Sequence, residues 1–553
     1  MSTPVFELLA EDIRTLRIDT AFGLMSDDTA VLINALEALG IRFVAARHEN
    51  TAVAMAEGYA AATGRLGMAV IGRGPAAANA INAAVHATRT GSRVLLIYGD
   101  EPRTTIVNGP GPDIKKFDVV NVLSQAGLEV FRPVNVASLR GSFIGALDSA
   151  NQGKVAALVL PKDLLEERVA RPVDAFAYQP RRQVFVPSGR GSQDVDIAAH
   201  LIGRCQRPLI IAGWGAVQAE ARQAIEALGE KIGAVYATTL RASGYFHGNA
   251  FDLGVIGSFS HSVARRFIEH ADCVIVFGAS LNLFTLSAGQ ALPPNVPIIH
   301  VDADRSHIGR YWYSDVGLVG DASAVAAALA DKCSEASTPA LRTDENRSLL
   351  ANFDASLDFT PANTQRTVDP RGAAVLLDKM LPRDKNVVLD VGNFFQIAQF
   401  ITVASPKKLK YTAEFGSIGL GFGTALGFCA ASPGVPTVLF TGDGSLLMTL
   451  GELSTCVSEE LPLIIVVMND ACLGAERHYL ELREMSVAKT MLPMIDFADV
   501  ATAFGFETAT VTTMDELAAL RPMLEERAAP ILIDIKINPA VPAGFMAEFA
   551  SKR

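Results

Sequence analysis

A short apolar run rich in Val and Ile, broken at Gly, Asp or Pro and followed by a longer amphipathic stretch, recurs along the whole chain. RLGMAVIG, SRVLLIYG, KVAALVLP, RPLIIAG, DCVIVFG, VPIIHVD, NVVLDVG, PTVLFTG and LPLIIVVMND are the clearest examples. A strand apolar at every position is buried on both faces, which is the condition of strands in parallel sheets covered by helices. The chain is therefore read as α/β, built of doubly wound parallel sheets. Two polar stretches, 172–193 and 334–369, interrupt the alternation and read as linkers. They give three domains, 1–172, 193–334 and 369–553, with no direct sequence repeat among them.

Composition narrows the function classes. Half of the 553 residues are hydrophobic and 19% are charged, enough apolar material for several cores. Lys plus Arg is 48 against 59 Asp plus Glu, a net charge of −11 with no basic run, so a nucleic-acid partner is not expected. No uninterrupted apolar stretch of about 18 residues suggests a membrane span. The first residues carry acids and lack the apolar core of a signal peptide. Six scattered cysteines without C-x-x-C fit a reducing compartment, and a cytoplasmic location is expected.

Chemistry is most concentrated at Gly442-Asp443-Gly444-Ser445. The tetrapeptide follows the strand run PTVLFT and opens a segment where Leu446, Leu450, Leu453 and Val457 recur at helical spacing. A strand, a glycine turn and a helix start can cradle a phosphate on free backbone N–H groups. Asp443 would repel that phosphate unless a cation lay between them. The next strand run ends at Asn469-Asp470, so Asp443 and Asp470 close two consecutive strands, where α/β sheets place ligands. Oxygen ligands beside an anion suit Mg²⁺.

These residues resemble the cofactor motif of thiamine-diphosphate enzymes, in the acetolactate synthase, pyruvate oxidase and 2-oxo acid decarboxylase group. The match is GDGS, then Asp470 27 residues after Asp443, within Asn469-Asp470-Ala471-Cys472-Leu473-Gly474. The resemblance implies metal ligation by Asp443, Asp470 and the Cys472 carbonyl, with Asp470 standing where Asn is more frequent. It also implies that the three domains are pyrimidine-binding, central Rossmann-like and diphosphate-binding. FVAARHENTAVAMAEGYAAATGR resembles the segment with the family's catalytic glutamate, here Glu49. A carboxyl at N1′ of the aminopyrimidine favours the imino tautomer that removes the C2 proton. Read alone, Glu49 is better taken as a first-turn helix carboxylate interacting with the macrodipole, and the matched segment reverses that.

Further matches extend the implied site. In GSIGLGFGTALGF, Gly416 would offer its carbonyl to the aminopyrimidine and Ile418 would wedge between the cofactor rings; Gly419, Gly421 and Gly423 alternatively form a helix-packing patch. Gly392-Asn393 matches a diphosphate contact, with Phe394 where some members have His. On the substrate side, Asp27 and Glu476 fall where some decarboxylases carry proton-handling carboxyls, whose facing charges would push their pKa values apart. Asp27 and Asp28 alternatively are solvated loop acids or a helix cap. His478 is either a proton shuttle or a surface histidine, and Lys115 either meets an anionic substrate or is a surface lysine. In the central domain Gly213, Gly215, Gly278 and Asp302 lie at strand ends. Relatives bind FAD or ADP there or leave the module empty, and the glycines alone read as packing residues.

The resemblance implies an enzyme using thiamine diphosphate and Mg²⁺ on a small 2-oxo acid, losing CO₂ to an enamine that is protonated or ligated to a second carbonyl compound. A lyase acting on a 2-hydroxyacyl or diketone substrate is the alternative within that chemistry, and a non-catalytic nucleotide-binding paralogue the alternative outside it. The family arrangement, with Glu49 and GDGS from different subunits, implies at least a homodimer and an expected homotetramer.

Overall fold

The computed structural model describes residues 2–103, 113–171, 174–180, 190–336, 340–527 and 529–550. Every quoted apolar run forms a strand, from Gly67–Ile71 to Leu463–Asn469. Among the described residues they build three parallel six-stranded sheets flanked by helices. Numbered in chain order within each sheet, the strands of the first and third run 2-1-3-4-6-5, and those of the second run 3-2-1-4-5-6. The second is the order of dinucleotide-binding folds. The first and third share a topology although their sequences show no repeat. A small antiparallel pair, Ser2–Pro4 with Arg168–Ala170, closes off the first sheet.

Each order has a switch point, where successive connections leave in opposite directions and a crevice opens beyond the strand ends. In the first sheet it lies between Thr20–Gly23 and Gly67–Ile71, and in the third between Asn386–Leu389 and Thr437–Gly442. In the second it lies between Pro208–Ala212 and Cys273–Phe277.

The first and third units share one continuous core. Helix Glu49–Thr63 crosses helix Leu420–Ala431, and Met55, Tyr59, Leu426 and Phe428 belong to a single buried cluster. The crossing is close because it is made by glycines. A Cβ on Gly423 would stand 2.8 Å from the Thr51 carbonyl oxygen, and one on Gly58 or Gly427 would overlap the opposite helix backbone. The packing reading of Gly423 thus holds. Gly421 instead faces Asp390, and Gly419 takes the left-handed conformation (φ 88°) just before the helix. A buried ion pair spans the same interface, with Lys410 Nζ 2.6 Å from Glu57 Oε1.

Two expectations need correction. The helical spacing from Leu446 to Val457 belongs to two short helices, Asp443–Leu447 and Glu452–Ser458, separated at Met448–Gly451. The stretch 334–369 is more than a linker: it carries helix Asp344–Ala351, which buries none of its side chains. Residues 172, 173, 181–189 and 337–339, within the two expected linkers, lie outside the described residues.

Candidate active site

Parallel pairing sets Gly442 opposite Met468, so the strands ending in Gly442 and Asn469 deliver Asp443 and Asp470 to one crevice. Both carboxylates are buried, and Asp443 Oδ2 has no hydrogen-bond partner among the described residues. Burial, reinforced by the negative charge of Asp470, pushes the Asp443 carboxyl up to about 7; burial likewise raises Asp470. Two buried carboxylates facing each other with an unsatisfied oxygen are unfavourable in the free protein. A divalent cation between them removes both penalties, so the donor set fits Mg²⁺. Among the described residues no cluster of three acidic, His or Cys side chains gathers, and the remaining ligands would be a backbone carbonyl and the anion itself, as Mg²⁺ accepts.

The loop after Asn469 is shaped to present such a carbonyl. The Asn469 side chain turns away, donating to the Ile495 carbonyl and to Asp534 Oδ1, each at 3.0 Å. Ala471 adopts a positive φ of 52°. Cys472 bridges to Met491, and the Leu473 N–H donates to Thr490 at 2.7 Å, which pins the hook on its outer side. Gly474 opens helix Gly474–Glu481 because nothing larger fits: a Cβ there would lie 2.7 Å from Asp470 Oδ2 and 2.9 Å from Asn393 Cβ. Gly392, Asn393, Asp470 and Gly474 therefore gather at one place.

Asn393 is there in a different capacity from that expected. Its Nδ2 donates to Val541 O at 2.9 Å and its Oδ1 accepts from Ala543 N–H at 2.8 Å, so the side chain holds the C-terminal segment. Its backbone and the second N–H of Nδ2 are the groups left to face a diphosphate. Phe394 covers Gly442, its ring edge 3.3 Å from where a Cβ would be. Gly416 (φ 70°) and Ile418 lie on the loop before helix Leu420–Ala431, with Gly416 exposed and Ile418 half-buried. The sequence reading missed what anchors that loop. Asp390, fully buried at the switch point, accepts from Gly419 N–H (3.1 Å), Thr412 (3.0 Å), Thr441 (3.3 Å) and Val391 N–H (2.9 Å). Burial raises its pKa against these stabilising hydrogen bonds.

Glu49 is the first residue of helix Glu49–Thr63 and is only 8% exposed. Asn79 Nδ2 donates to its Oε2 at 3.0 Å. No hydrogen bond or ion pair among the described residues joins it to Asp443 or Asp470 in the single chain.

The substrate-side residues do not converge. Asp27 is exposed and paired with Lys115, and Lys162 Nζ lies 3.7 Å away. The Lys115 hydrogen bond holds its carboxyl below the usual range, so Asp27 is ionised at neutral pH and unsuited to donate a proton as it stands. Its neighbour Asp28 is buried, accepting from Ser26 (2.5 Å) and Arg73 N–H (2.7 Å). Glu476 is exposed on helix Gly474–Glu481, and no hydrogen bond or ion pair among the described residues joins it to Asp27. His478 is buried there instead, with Nδ1 3.0 Å from Glu481 and Nε2 unpartnered among the described residues.

In the central sheet the strand-end glycines occupy each other's space. A Cβ on Gly215 would stand 2.8 Å from Gly278 Cα, and Gly215 N–H donates to the Gly278 carbonyl at 3.0 Å. This packing accounts for the glycines without a nucleotide. Asp302 is tied to His307 Nδ1 at 3.1 Å.

Three carboxyl-terminal strand edges, a cation-demanding carboxylate pair and a buried helix-start glutamate define a cofactor-dependent α/β enzyme architecture. Comparison with known families agrees over most of the chain. Residues 4–119 match the N-terminal TPP binding domain of thiamine pyrophosphate enzymes, residues 195–329 their central domain, and residues 390–535 their C-terminal TPP binding domain. The chain belongs to the thiamine pyrophosphate enzyme family. It is 25% identical over 528 residues to a sulfoacetaldehyde acetyltransferase of Castellaniella defragrans, covering 90% of this chain and 86% of that protein. To the acetolactate synthase isozyme 2 large subunit of Escherichia coli it is 26% identical over 554 residues, 96% of each chain. To an acetolactate synthase large subunit of Corynebacterium glutamicum it is 26% identical over 563 residues, 97% of this chain and 88% of that one. Among the described residues no helix is long and apolar enough to cross a membrane.

Proposed function

We propose that this enzyme uses thiamine diphosphate and Mg²⁺ to decarboxylate a 2-oxo acid and transfer the remaining acyl unit to a second carbonyl compound. The observation that carries the reading is the buried Asp443–Asp470 pair with its unsatisfied oxygen, a site that is unfavourable until a cation fills it. Asp443, Asp470 and the Cys472 carbonyl would hold Mg²⁺. Gly442, Gly444, Ser445, Leu473, Gly474, Gly392 and the Asn393 backbone would surround the diphosphate, while Gly416 and Ile418 would hold the ring end. Bound thiamine diphosphate supplies a carbon nucleophile and an electron sink, chemistry no side chain provides. Glu49 holds a proton at the aminopyrimidine N1′. His478, with its free Nε2, is the buried group suited to move a proton on the substrate side, and Glu476, two residues earlier on the same helix, is the exposed carboxyl beside it.

Acyl transfer is preferred to simple protonation because Asp27, the expected proton donor, is held ionised by Lys115. The activities for which the relatives are named, acetolactate synthesis and acetyl transfer, support the same reading. The family resemblance, with Glu49 and GDGS supplied by different subunits, makes a homodimer the proposed minimal working unit, and pairing of dimers would give a tetramer.

Proton NMR of products from pyruvate, with and without an added aldehyde, tests the reading. Acetolactate or a mixed 2-hydroxy ketone is the expected product; acetaldehyde alone would replace acyl transfer with decarboxylation. Glu49→Gln should abolish turnover while leaving cofactor binding in place. Turnover unchanged by that substitution would refute the role of Glu49.

A further inference from the structure

Glu49 reaches its crevice as a flexible side chain on the first turn of a helix, and only one described residue holds its carboxyl. Asn79 Nδ2 donates to Oε2 at 3.0 Å, and Oε1 makes no hydrogen bond among the described residues. We infer that Asn79 is a positioning residue for Glu49: its amide occupies one carboxyl oxygen, fixes the carboxyl plane and leaves Oε1 as the oxygen offered to the cofactor. This rests on the proposed role of Glu49 and goes beyond it to a residue that the sequence reading did not single out.

The surroundings make Asn79 a rigid support. It ends the short helix Pro75–Asn79, and the next helix, Ile81–Thr90, begins two residues later. That second helix is fastened on both sides. Its Ala83 N–H donates to the side chain of Asn50, the residue following Glu49, at 2.8 Å. Its Asn82 Nδ2 donates to Ser417 Oγ, between Gly416 and Ile418, also at 2.8 Å. The donor to Glu49 therefore stands on a segment whose place is set by Glu49's own neighbour and by the cofactor loop of the third unit. A base or acid oriented by a third group is the usual construction of a catalytic pair, and where such orienting partners support metal ligands their loss costs about 10–100-fold, the scale expected for Asn79. Asn79 is itself exposed, so its replacement leaves the core untouched.

The test uses the full chain loaded with thiamine diphosphate and Mg²⁺. It reads deuterium exchange at the cofactor C2 by quenched NMR, alongside cofactor affinity by calorimetry. Asn79→Leu keeps the volume and removes the donor; Asn79→Gln keeps an amide on a longer arm. Asn79→Leu should slow C2 exchange by about 10–100-fold while the cofactor Kd changes less than about threefold, and Asn79→Gln should restore part of the rate. In a Glu49→Gln background, Asn79→Leu should add nothing, because no carboxyl remains to be oriented. An exchange rate unchanged in Asn79→Leu, or lowered equally with and without Glu49, would overturn the inference. Exchange unaffected by Glu49→Gln alone would fell the reading of Glu49, and the role of Asn79 with it; slow exchange in Glu49→Gln beside normal exchange in Asn79→Leu would fell only the latter.

Discussion

Lys410→Met tests whether the two cofactor-related units are held together by charge as well as by packing. Glu57 is 1% exposed and Lys410 5% exposed, so neither charge is solvated. Thr90 (3.1 Å) and Ser92 (2.8 Å) donate to the same Glu57 oxygen as the lysine, and Oε2 has no partner among the described residues. Burial alone would raise the Glu57 carboxyl, yet the Lys410 charge, helped by these donors, brings it down from 4.5 to about 2. Removing Lys410 leaves the Glu57 charge buried and unpaired, a loss at the lower end of the roughly 3–5 kcal/mol typical of such deletions, about 3 kcal/mol. For an unfolding unit of 150–250 residues, this corresponds to a midpoint lower by roughly 6–12 °C. Because a chain of several domains does not unfold in two states, the comparison is of the transition that exposes the helix crossing. Adding Glu57→Gln to Lys410→Met should recover most of the loss, since no buried charge is then left unpaired. Equal melting of the single and double variants, or a single variant within a degree of wild type, would refute the coupling. The same group sets an acid limit. The folded pKa of Glu57 lies below its unfolded value, so its contribution is complete above about 4.5 and disappears as pH falls towards 2. His86, kept neutral by burial with its pKa lowered from 6.5, acts in the same direction: below about 6.5 the unfolded chain takes up a proton that the folded one resists. Stability should therefore decline with acid from near pH 6.5 in wild type, and less steeply in His86→Phe, as followed by midpoint against pH.

Other perturbations separate the parts of the site. Asp443→Asn removes one of two facing buried charges, so the free protein should melt higher while stabilisation by added Mg²⁺ with thiamine diphosphate disappears in paired thermal scans. Gly474→Ala puts a Cβ 2.7 Å from Asp470 Oδ2, and displacing that carboxylate should weaken Mg²⁺ affinity by about 10–100-fold, measured by Mg²⁺ titration of activity. Asp27→Asn leaves Lys115 and Lys162 less neutralised; turnover should stay within about tenfold of wild type, since general acid–base groups contribute about 10²–10⁴-fold and Asp27 is not acting as one. A loss of 10³ or more would return Asp27 to the proton-handling role.

The sequence was most legible where local pattern and tertiary position coincide. VLDVG, PTVLFTG and LPLIIVVMND each had to be strands, and strand ends in parallel sheets are where ligands sit, so Asp443 and Asp470 could be placed together before any coordinates. Asn393 was legible as to place but hidden as to use, because its partners Val541 and Ala543 come from a distant segment. Asp27 carried no sign that Lys115, 88 residues later, would take its charge. Asn79 and Asp390 lie in stretches of small or apolar residues, and their meaning comes only from the groups the fold brings to them. The division of Asn469 and Asp470 between a structural and a ligand-facing task likewise depends on Asp534 standing behind the former.

Asp390 has a consequence for motion. Thr412 and Gly419, the two ends of the loop carrying Gly416 and Ile418, are bonded to the two oxygens of this one carboxylate. Both ends of the loop are therefore tied to one knot, and Thr441, on the strand leading to Asp443, is tied into the same knot at 3.3 Å, while Ser417 in its middle is held separately by Asn82. A short tethered loop gains little entropy by opening unless the tether itself breaks. Wider opening of the loop must loosen the strand leading to Asp443 at the same time. The Gly419 amide should accordingly exchange with solvent as slowly as the strand Thr437–Gly442, whereas that of Gly416 should exchange orders of magnitude faster.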